Sequence, residues 1–404
     1  MQVIIIGGGA AGMMAALTAA KQGASVTLLE KNERLGKKLA ATGNGRGNLS
    51  NRLMNSGCYN GADPGFTKPA LAAFGVDDTV AFFRALGVIC REDEDGKLYP
   101  MSNQASSVVD CLRFAIEAAG INVLTGFTAE KVRRDKHGFT VTGGGQELSC
   151  DRLIIAAGGE AAPKLGGSPS GYKLLEALGH HSTPRFPALV QVKTDNTYPK
   201  AMQGLKIDGE VTLEVKGGSR EKAAGEILFT EYGISGPAVF AVSRVAAEAA
   251  AKGIEARAVL DMLPELGWHQ LYELLAERSR SCGYLTLENF FAGLLHKKLG
   301  IMLCKYCGIA PLSRLCGTLT DNELKQLADA VKKFRLAVKG VTGFANAQVT
   351  AGGISTKEVD PRTMGSRLVS GLYLAGEVLD IDGICGGYNL QWAWSSGYLA
   401  GCLL

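Results

Sequence analysis

Residues 2–31 read QVIIIGGGAAGMMAALTAAKQGASVTLLEK, and this stretch decides the fold. It predicts strand, glycine turn, helix, strand. Residues 3–6 are a short β-branched run, as expected of a strand buried on both faces of a parallel sheet. Gly7, Gly9 and Gly12 follow in G-x-G-x-x-G spacing. The first glycine permits a tight turn, the second lets backbone approach a pyrophosphate, and the third lets helix and strand pack closely. The helix then opens with free N–H groups and the positive end of its dipole. Ala16, Ala19 and Ala20 keep its sheet-facing side small, and Gly23 suits the C-terminal stop. Glu30 closes the second strand, eighteen residues after Gly12. A carboxylate there can accept both hydroxyls of an adenosine ribose and would repel a 2′-phosphate. A lone glycine fingerprint is a weak signal. This one has the strand before it, the helix after it and the acid at the right distance.

The whole chain sets outer bounds. At 404 residues it is long for one domain and comfortable for two. Hydrophobic residues at 46% and charged residues at 20% are ordinary for a soluble globular protein. A net charge of +4 is small for this length and argues for neither a nucleic acid nor a membrane partner. The apolar start breaks at glycines with no cationic region before it, unlike a signal peptide, and no run reaches transmembrane length. The ten cysteines are scattered, which suits buried thiols in a reducing cytosol, so a cytoplasmic location is expected.

After Glu30 comes NERLGKKLAATGNGRGNLSN, residues 32–51, basic and rich in glycine. With few large apolar residues it is not expected in the core. Gly43, Gly45 and Gly47 alternate with Asn44, Arg46 and Asn48, which suits backbone, amide and guanidinium donors against a flat polar ligand; the plainer alternative is a solvated loop. Residues 77–87 and 105–119 predict helices, and 89–100 a hairpin turning at Asp95-Gly96, exposed by default. Gly143-Gly144-Gly145 looks like a phosphate loop but lies between strand-like runs, so a hairpin turn is expected. DRLIIAAGG, residues 151–159, is a buried strand running into small residues that let a ligand pass close. His180 and His181 at a helix end are expected to point in different directions, against a shared metal, and no metal site is expected elsewhere.

Near residue 186 the texture turns to short strands at 189–192, 209–215 and 226–229, then helices at 238–252, 264–283, 287–299 and 321–333. This segment lacks α/β alternation and reads as an insertion. Cys304 and Cys307 form C-x-x-C near Cys316 and His296, with no second pair at zinc spacing; structural thiols are expected, the alternatives being a redox dithiol and a metal. The α/β texture returns near residue 340.

The second centre is LYLAGEVLDIDGICGGYNLQWAWSSGYLAG, residues 372–401. A strand leads into Gly376-Glu377, then Asp380, and Gly386-Gly387 opens a final helix. Asn389, Ala393, Ser396 or Gly397, and Ala400 give it a face so small that it must closely approach the first helix or a ligand. Two glycine-opened helix starts at opposite chain ends imply one extended ligand bridged by both. One helix start serves the pyrophosphate and the other faces a redox ring. That is the arrangement of FAD in a two-dinucleotide-type flavoprotein.

These motifs, with FTEYGISGPAV (229–239) and VTAGGIS (349–355), resemble the BaiN / aminoacetone oxidase / RdsA-like family of FAD-dependent oxidoreductases over nearly the full chain. The resemblance implies an α/β fold: a Rossmann-like FAD domain built from both ends, residues 1–187 and 341–404. An inserted β-barrel-like and helical cap, residues 188–340, completes it. It implies FAD contacts at Gly7, Gly9, Ala11, Gly12, Glu30, Lys31, Asn44, Gly45, Arg46, Gly376, Glu377, Asp380, Tyr388, Asn389 and Leu390. Gly47 stands where the family usually has cysteine, Glu231 where many members have histidine, and SPSG (168–171) replaces a more usual TG-x-G turn.

The expected activity is hydride transfer through flavin N5 in an enzyme supplied by NAD(P)H. The nicotinamide comes and goes, since the chain holds no second, independent fingerprint. The expected substrate is a small organic molecule, with a steroid-like enoyl compound among the choices. The alternatives are an oxygen-using amine oxidase of the aminoacetone oxidase type and a non-catalytic flavin- or nucleotide-binding module. Glu231 and Tyr232 are the catalytic candidates, because a hydride reaction at carbon needs a proton moved nearby. The plainer alternative is that these polar residues cap a turn.

Overall fold

A computed structural model describes residues 1–403. The chain divides into two compact units, residues 1–187 with 344–403, and Ala188–Gly343.

The first unit is built on a five-stranded parallel sheet. Gln2–Ile6 lies at its centre, paired with Ser25–Glu30 on one side and Arg152–Ile155 on the other. Asn122–Thr125 extends the sheet beyond the former, and Leu372–Leu374, from the far end of the chain, extends it beyond the latter. The α/β architecture assembled from both chain ends is therefore as the sequence predicts. The apolar run Val3, Ile4, Ile5 and Ile6 is buried throughout, which explains why it does not alternate. An antiparallel sheet of Lys131–Asp135, Gly138–Gly143 and Gln146–Cys150 follows Asn122–Thr125 in sequence. Gly144 and Gly145 make its second turn at φ +55° and +75°, so the glycine triplet is a hairpin turn.

The last helix, Tyr388–Cys402, lies directly on the first, Ala10–Lys21. A Cβ on Gly397 would come within 2.5 Å of the Ala11 carbonyl oxygen, and one on Gly401 within 2.6 Å of that of Ala15. The small face read from the sequence is thus a helix–helix contact. Trp392 and Trp394 fill the other sides, and each indole N–H donates to a backbone carbonyl, of Gly376 at 3.1 Å and Leu49 at 3.0 Å.

Two expectations fail in this unit. Residues 32–51 are not outside the core: Leu35, Leu39 and Leu49 are buried in it, and Ser50–Asn51 pairs with Lys97–Pro100. Three leucines among polar residues suffice because glycines fold the loop back onto the sheet. The hairpin at 89–100 forms with its turn at Asp95-Gly96, yet Leu98 and Tyr99 are buried rather than exposed.

The second unit holds a closed barrel, in the order Val192–Thr194, Gly233–Ser235, Arg220–Thr230, Lys206–Val215, Ala256–Asp261 and Phe334–Val341. Closure removes exposed sheet edges. Helices Pro237–Ala251, Trp268–Ser281, Lys297–Tyr306 and Asp321–Lys332 belong to the same unit. The strands at 256–261 and 334–341 were not foreseen, since each adjoins a helical run. The expected helix at 287–299 is wrong. A short 3₁₀ turn at Leu287–Asn289 leads into a bend at Gly293 (φ +83°), and the helix starts only at Lys297. Phe290 and Phe291 are both buried in the bend.

The helix–helix contact gives a direct stability test. Gly397→Ala should lower stability by about 1–3 kcal/mol, the usual cost of forcing a methyl into a packed interior. Denaturant unfolding measures it, and an unchanged midpoint would mean that the two helices do not meet as described.

Candidate functional site

The carboxyl ends of the parallel strands collect the candidate residues of the first unit. In open α/β sheets this edge is where ligands bind. Gly7 leaves the central strand at φ +111°, its N–H donating to Leu29 O at 2.8 Å. A side chain there would strike the Ala156 carbonyl at 2.4 Å, and a Cβ on Gly12 would lie 1.8 Å from Gly7 O. These two glycines are demanded by packing. Gly9 is different: a Cβ there would meet nothing within 4 Å. Gly9 also begins the helix without any side-chain cap, and its first turn, which includes Ala11, carries no acid. Uncapped amides beside open space fit a pyrophosphate.

Glu30 is buried at the end of its strand. Its Oε2 accepts from Gly8 N at 2.8 Å, and its Oε1 from Asn32 N at 2.8 Å and Asn32 Nδ2 at 2.6 Å. The carboxylate is thus fixed by the protein before any ribose is considered. It retains acceptor capacity, since a carboxylate offers about four lone-pair sites. Burial draws the Lys31 ammonium below its usual range, partly offset by Glu30.

The loop after it turns through left-handed conformations at Gly43, Asn44, Gly45 and Gly47. Asn44 and Gly45 are exposed, with open space at Gly45. Arg46 is engaged elsewhere: it pairs with Asp93 at 3.0 Å, donates to Asn103 Oδ1 at 3.2 Å and lies 4.1 Å from the Tyr99 ring centroid. The glycine at position 47 is explained by φ +79° and by Ala105, whose Cα would lie 3.0 Å from a new Cβ. Asn48, with its amide turned to suit its partners, accepts from Gly387 N at 3.2 Å and donates to Ser50 O at 3.0 Å.

The C-terminal segment closes the set. Gly376 abuts the first helix, a Cβ there lying 2.9 Å from that of Ala11. Glu377 Oε2 pairs with Lys38 Nζ at 2.7 Å and its Oε1 accepts from Thr350 N at 2.8 Å. Asp380 is buried and accepts from Ala62 N at 3.2 Å. Gly387 starts the last helix at φ +99°, and a side chain there would meet Ser50 O at 2.4 Å. Tyr388 is buried, its hydroxyl pushed up to about 12 by desolvation. The Asn389 amide clasps Gly383 through two bonds of 2.8 Å, and Leu390 is half-buried. Sequence reasoning missed Lys38 and Thr350. Lys38 pairs with a residue 339 positions away, and Thr350 Oγ1 accepts from Glu160 N 190 positions away, where spacing gives no signal.

Glu231 and Tyr232 lie in the other unit, as the two-residue turn between paired Thr230 and Gly233. Glu231 is exposed; Tyr232 is half-buried, its carbonyl accepting from Thr194 N at 3.0 Å. His180 and His181 do not point apart. Their Nδ1 atoms reach the two oxygens of Glu358 at 3.0 and 2.7 Å, because the chain turns at Gly179 and the helix ends before them. Cys304 and Cys307 are thiols in a helical setting, raised by burial to about 11 and about 12. At neutral pH both stay protonated, which disfavours dithiol chemistry and metal ligation.

A Rossmann unit completed by the chain's last helix, with a β-barrel inserted between, is the architecture in which comparison with known proteins places a flavin-dependent oxidoreductase. Residues 1–403 match the family described as HI0933-like protein Rossmann domain, and the chain belongs to this family of FAD-dependent oxidoreductases. It is 40% identical to the 3-dehydro-bile acid delta(4,6)-reductase of Clostridium scindens, covering 98% of this chain and 97% of the relative. It is 33% identical to the ribosomal RNA dihydrouridine synthase of Escherichia coli (strain K12), covering 98% and 96%. A 3-ketosteroid delta1-dehydrogenase from Sterolibacterium denitrificans shares the fold at TM-score 0.51 and 14% identity, over 99% and 98% of the two chains.

Because Glu30 is already bonded within the protein, its removal should cost stability as well as ligand affinity. Glu30→Ala is expected to lower unfolding free energy by roughly 1.5–3 kcal/mol in the absence of added FAD. Denaturant titration with and without FAD separates the two effects, and wild-type stability without FAD would confine Glu30 to a ligand role.

Proposed function

We propose that this protein is an FAD-dependent reductase of a carbon–carbon double bond conjugated to a carbonyl, acting on a small, apolar, steroid-like enone. The observation that carries the reading is the near-full-length likeness, at 40% identity, to a bile-acid reductase. NAD(P)H is the proposed donor, binding transiently.

The uncapped amides at Gly9 and Ala11, with Gly7 and Gly12 shaping the turn, would hold the pyrophosphate. Glu30 and Lys31 would serve the adenosine ribose. Asn44 and Gly45 would line the ring side, with Arg46 acting by ordering that loop through Asp93 and Tyr99. Gly376, Glu377 and Asp380 would meet the ribityl chain. The amides of Tyr388, Asn389 and Leu390 would stabilise negative charge at the ring, as the N-terminus of a helix does. When bound, FAD supplies hydride exchange at N5. Glu231 or Tyr232 would position the substrate or hold the proton for the carbon next to the carbonyl; the support is the family stretch FTEYGISGPAV and the exposure of Glu231.

A second reading rests on the 33% identity to the dihydrouridine synthases. Uracil also carries a double bond conjugated to a carbonyl, so the chemistry is shared and only the bearer differs. Among the described residues no helix is long and apolar enough to cross a membrane, which bears on neither reading.

The test is reoxidation of the reduced protein without oxygen. A 3-oxo steroid with conjugated double bonds should restore the oxidised flavin spectrum within seconds, and the product should gain two hydrogens by mass. Reoxidation by a uridine-containing ribosomal RNA fragment, with the steroid inert, would favour the second reading. Response to neither, with amines reducing the oxidised protein and oxygen reoxidising it, would replace both with an amine oxidase.

A further inference from the structure

The site contains a cation to which nothing above assigns a ligand. Lys38 Nζ lies 2.7 Å from Glu377 Oε2, and the two side chains keep 32% and 21% of their exposure, so the ammonium is held but reachable. The segments carrying this pair are anchored on either side of Gly9. Gly36 N donates to Gly8 O at 2.8 Å, two residues before Lys38. Gly376, next to Glu377, abuts Ala11, with 2.9 Å between a Cβ built there and that of Ala11. Between these anchors lies the open space at Gly9 and the uncapped first turn of helix Ala10–Lys21. The ion pair and the free amides are therefore carried by segments that meet at the same glycine turn.

Charge balance says what the ammonium is for. A pyrophosphate brings two negative charges to a region that already holds Glu30 and Glu377. A helix N-terminus offsets only about half a charge. Arg46, the obvious guanidinium of the loop, is committed to Asp93, Asn103 and the Tyr99 ring. Lys37 is exposed to solvent. Lys38 alone among the cations of this loop is fixed by a carboxylate that sits beside the first helix. An ammonium has three N–H donors, and the bond to Glu377 uses one.

We propose that Lys38 is the pyrophosphate-binding cation of this site, held at the opening by Glu377, with its remaining donors directed to a dinucleotide's phosphates. The inference rests on the FAD reading above but not on the substrate. It makes Glu377 a positioning residue for Lys38, in turn fixed by Thr350 N.

The experiment is calorimetric titration of the full-length protein, freed of flavin, with FAD, ADP and riboflavin. FAD and ADP carry the pyrophosphate, and riboflavin does not. Lys38→Met should weaken FAD and ADP by roughly tenfold to a hundredfold, the loss expected for charge-assisted bonds to phosphate, and leave riboflavin unchanged. Lys38→Arg should keep most of the affinity. Added salt should weaken wild type more than Lys38→Met. Equal FAD and ADP binding by wild type and Lys38→Met would overturn the inference. So would an equal loss for riboflavin, which would mark Lys38 as structural. A wild-type chain that takes up no FAD would overturn the underlying flavin reading as well.

Discussion

The contact on which this site depends is the close approach of the first and last helices. Gly397 and Gly401 let Tyr388–Cys402 lie with its backbone against the carbonyls of Ala11 and Ala15. A larger residue at either position would push the helices apart, and residues 376–390 would move with the last helix. That segment is tied to the last helix at Gly376, whose N–H donates to Ser396 Oγ at 3.0 Å and whose carbonyl accepts from Trp392, and it meets the first helix there, a Cβ on Gly376 lying 2.9 Å from that of Ala11. The sheet makes the same connection, since Leu372–Leu374 pairs with Arg152–Ile155 beside the central strand. A site drawn from both chain ends is thus the consequence of one packing arrangement.

Once the ends are joined, most of the site is backbone. The glycine turn supplies uncapped amides, and the second helix start supplies others. Asn48 takes the Gly387 amide, so the free donors begin one residue later than the glycine pair suggests. The carboxylates are held by protein partners: Glu30 by Gly8 and Asn32, Glu377 by Lys38 and Thr350. Groups fixed in this way need little reorganisation when a ligand arrives, which favours both affinity and electrostatic stabilisation. The two curated relatives act on different molecules, a bile acid and a ribosomal RNA.

The sequence made the first thirty-odd residues legible because every local signal agreed: an apolar run, glycines in a fixed order, a helix and an acid at its proper distance. The last helix was legible for the same reason, and its small face found its partner in the first helix. What was not legible depended on distance. The Lys38–Glu377 pair spans 339 residues, and no spacing rule reaches that far. His180 and His181 converge on Glu358, 178 residues from the first of them, which reverses the direction read from local geometry. The 287–299 segment misled because its apolar residues suit helical spacing, while the chain turns at Gly293 with φ +83° and the helix begins only at Lys297. Leu35, Leu39 and Leu49 were hidden in a polar loop whose glycines carry them into the core.

The central claim is that one FAD is held, without a covalent bond, by helix starts from both ends of the chain. Acid precipitation of the purified protein, followed by mass spectrometry of supernatant and pellet, tests it most directly. The account requires FAD in the supernatant at close to one molecule per chain. FMN, no flavin, or flavin retained on the pellet would contradict it.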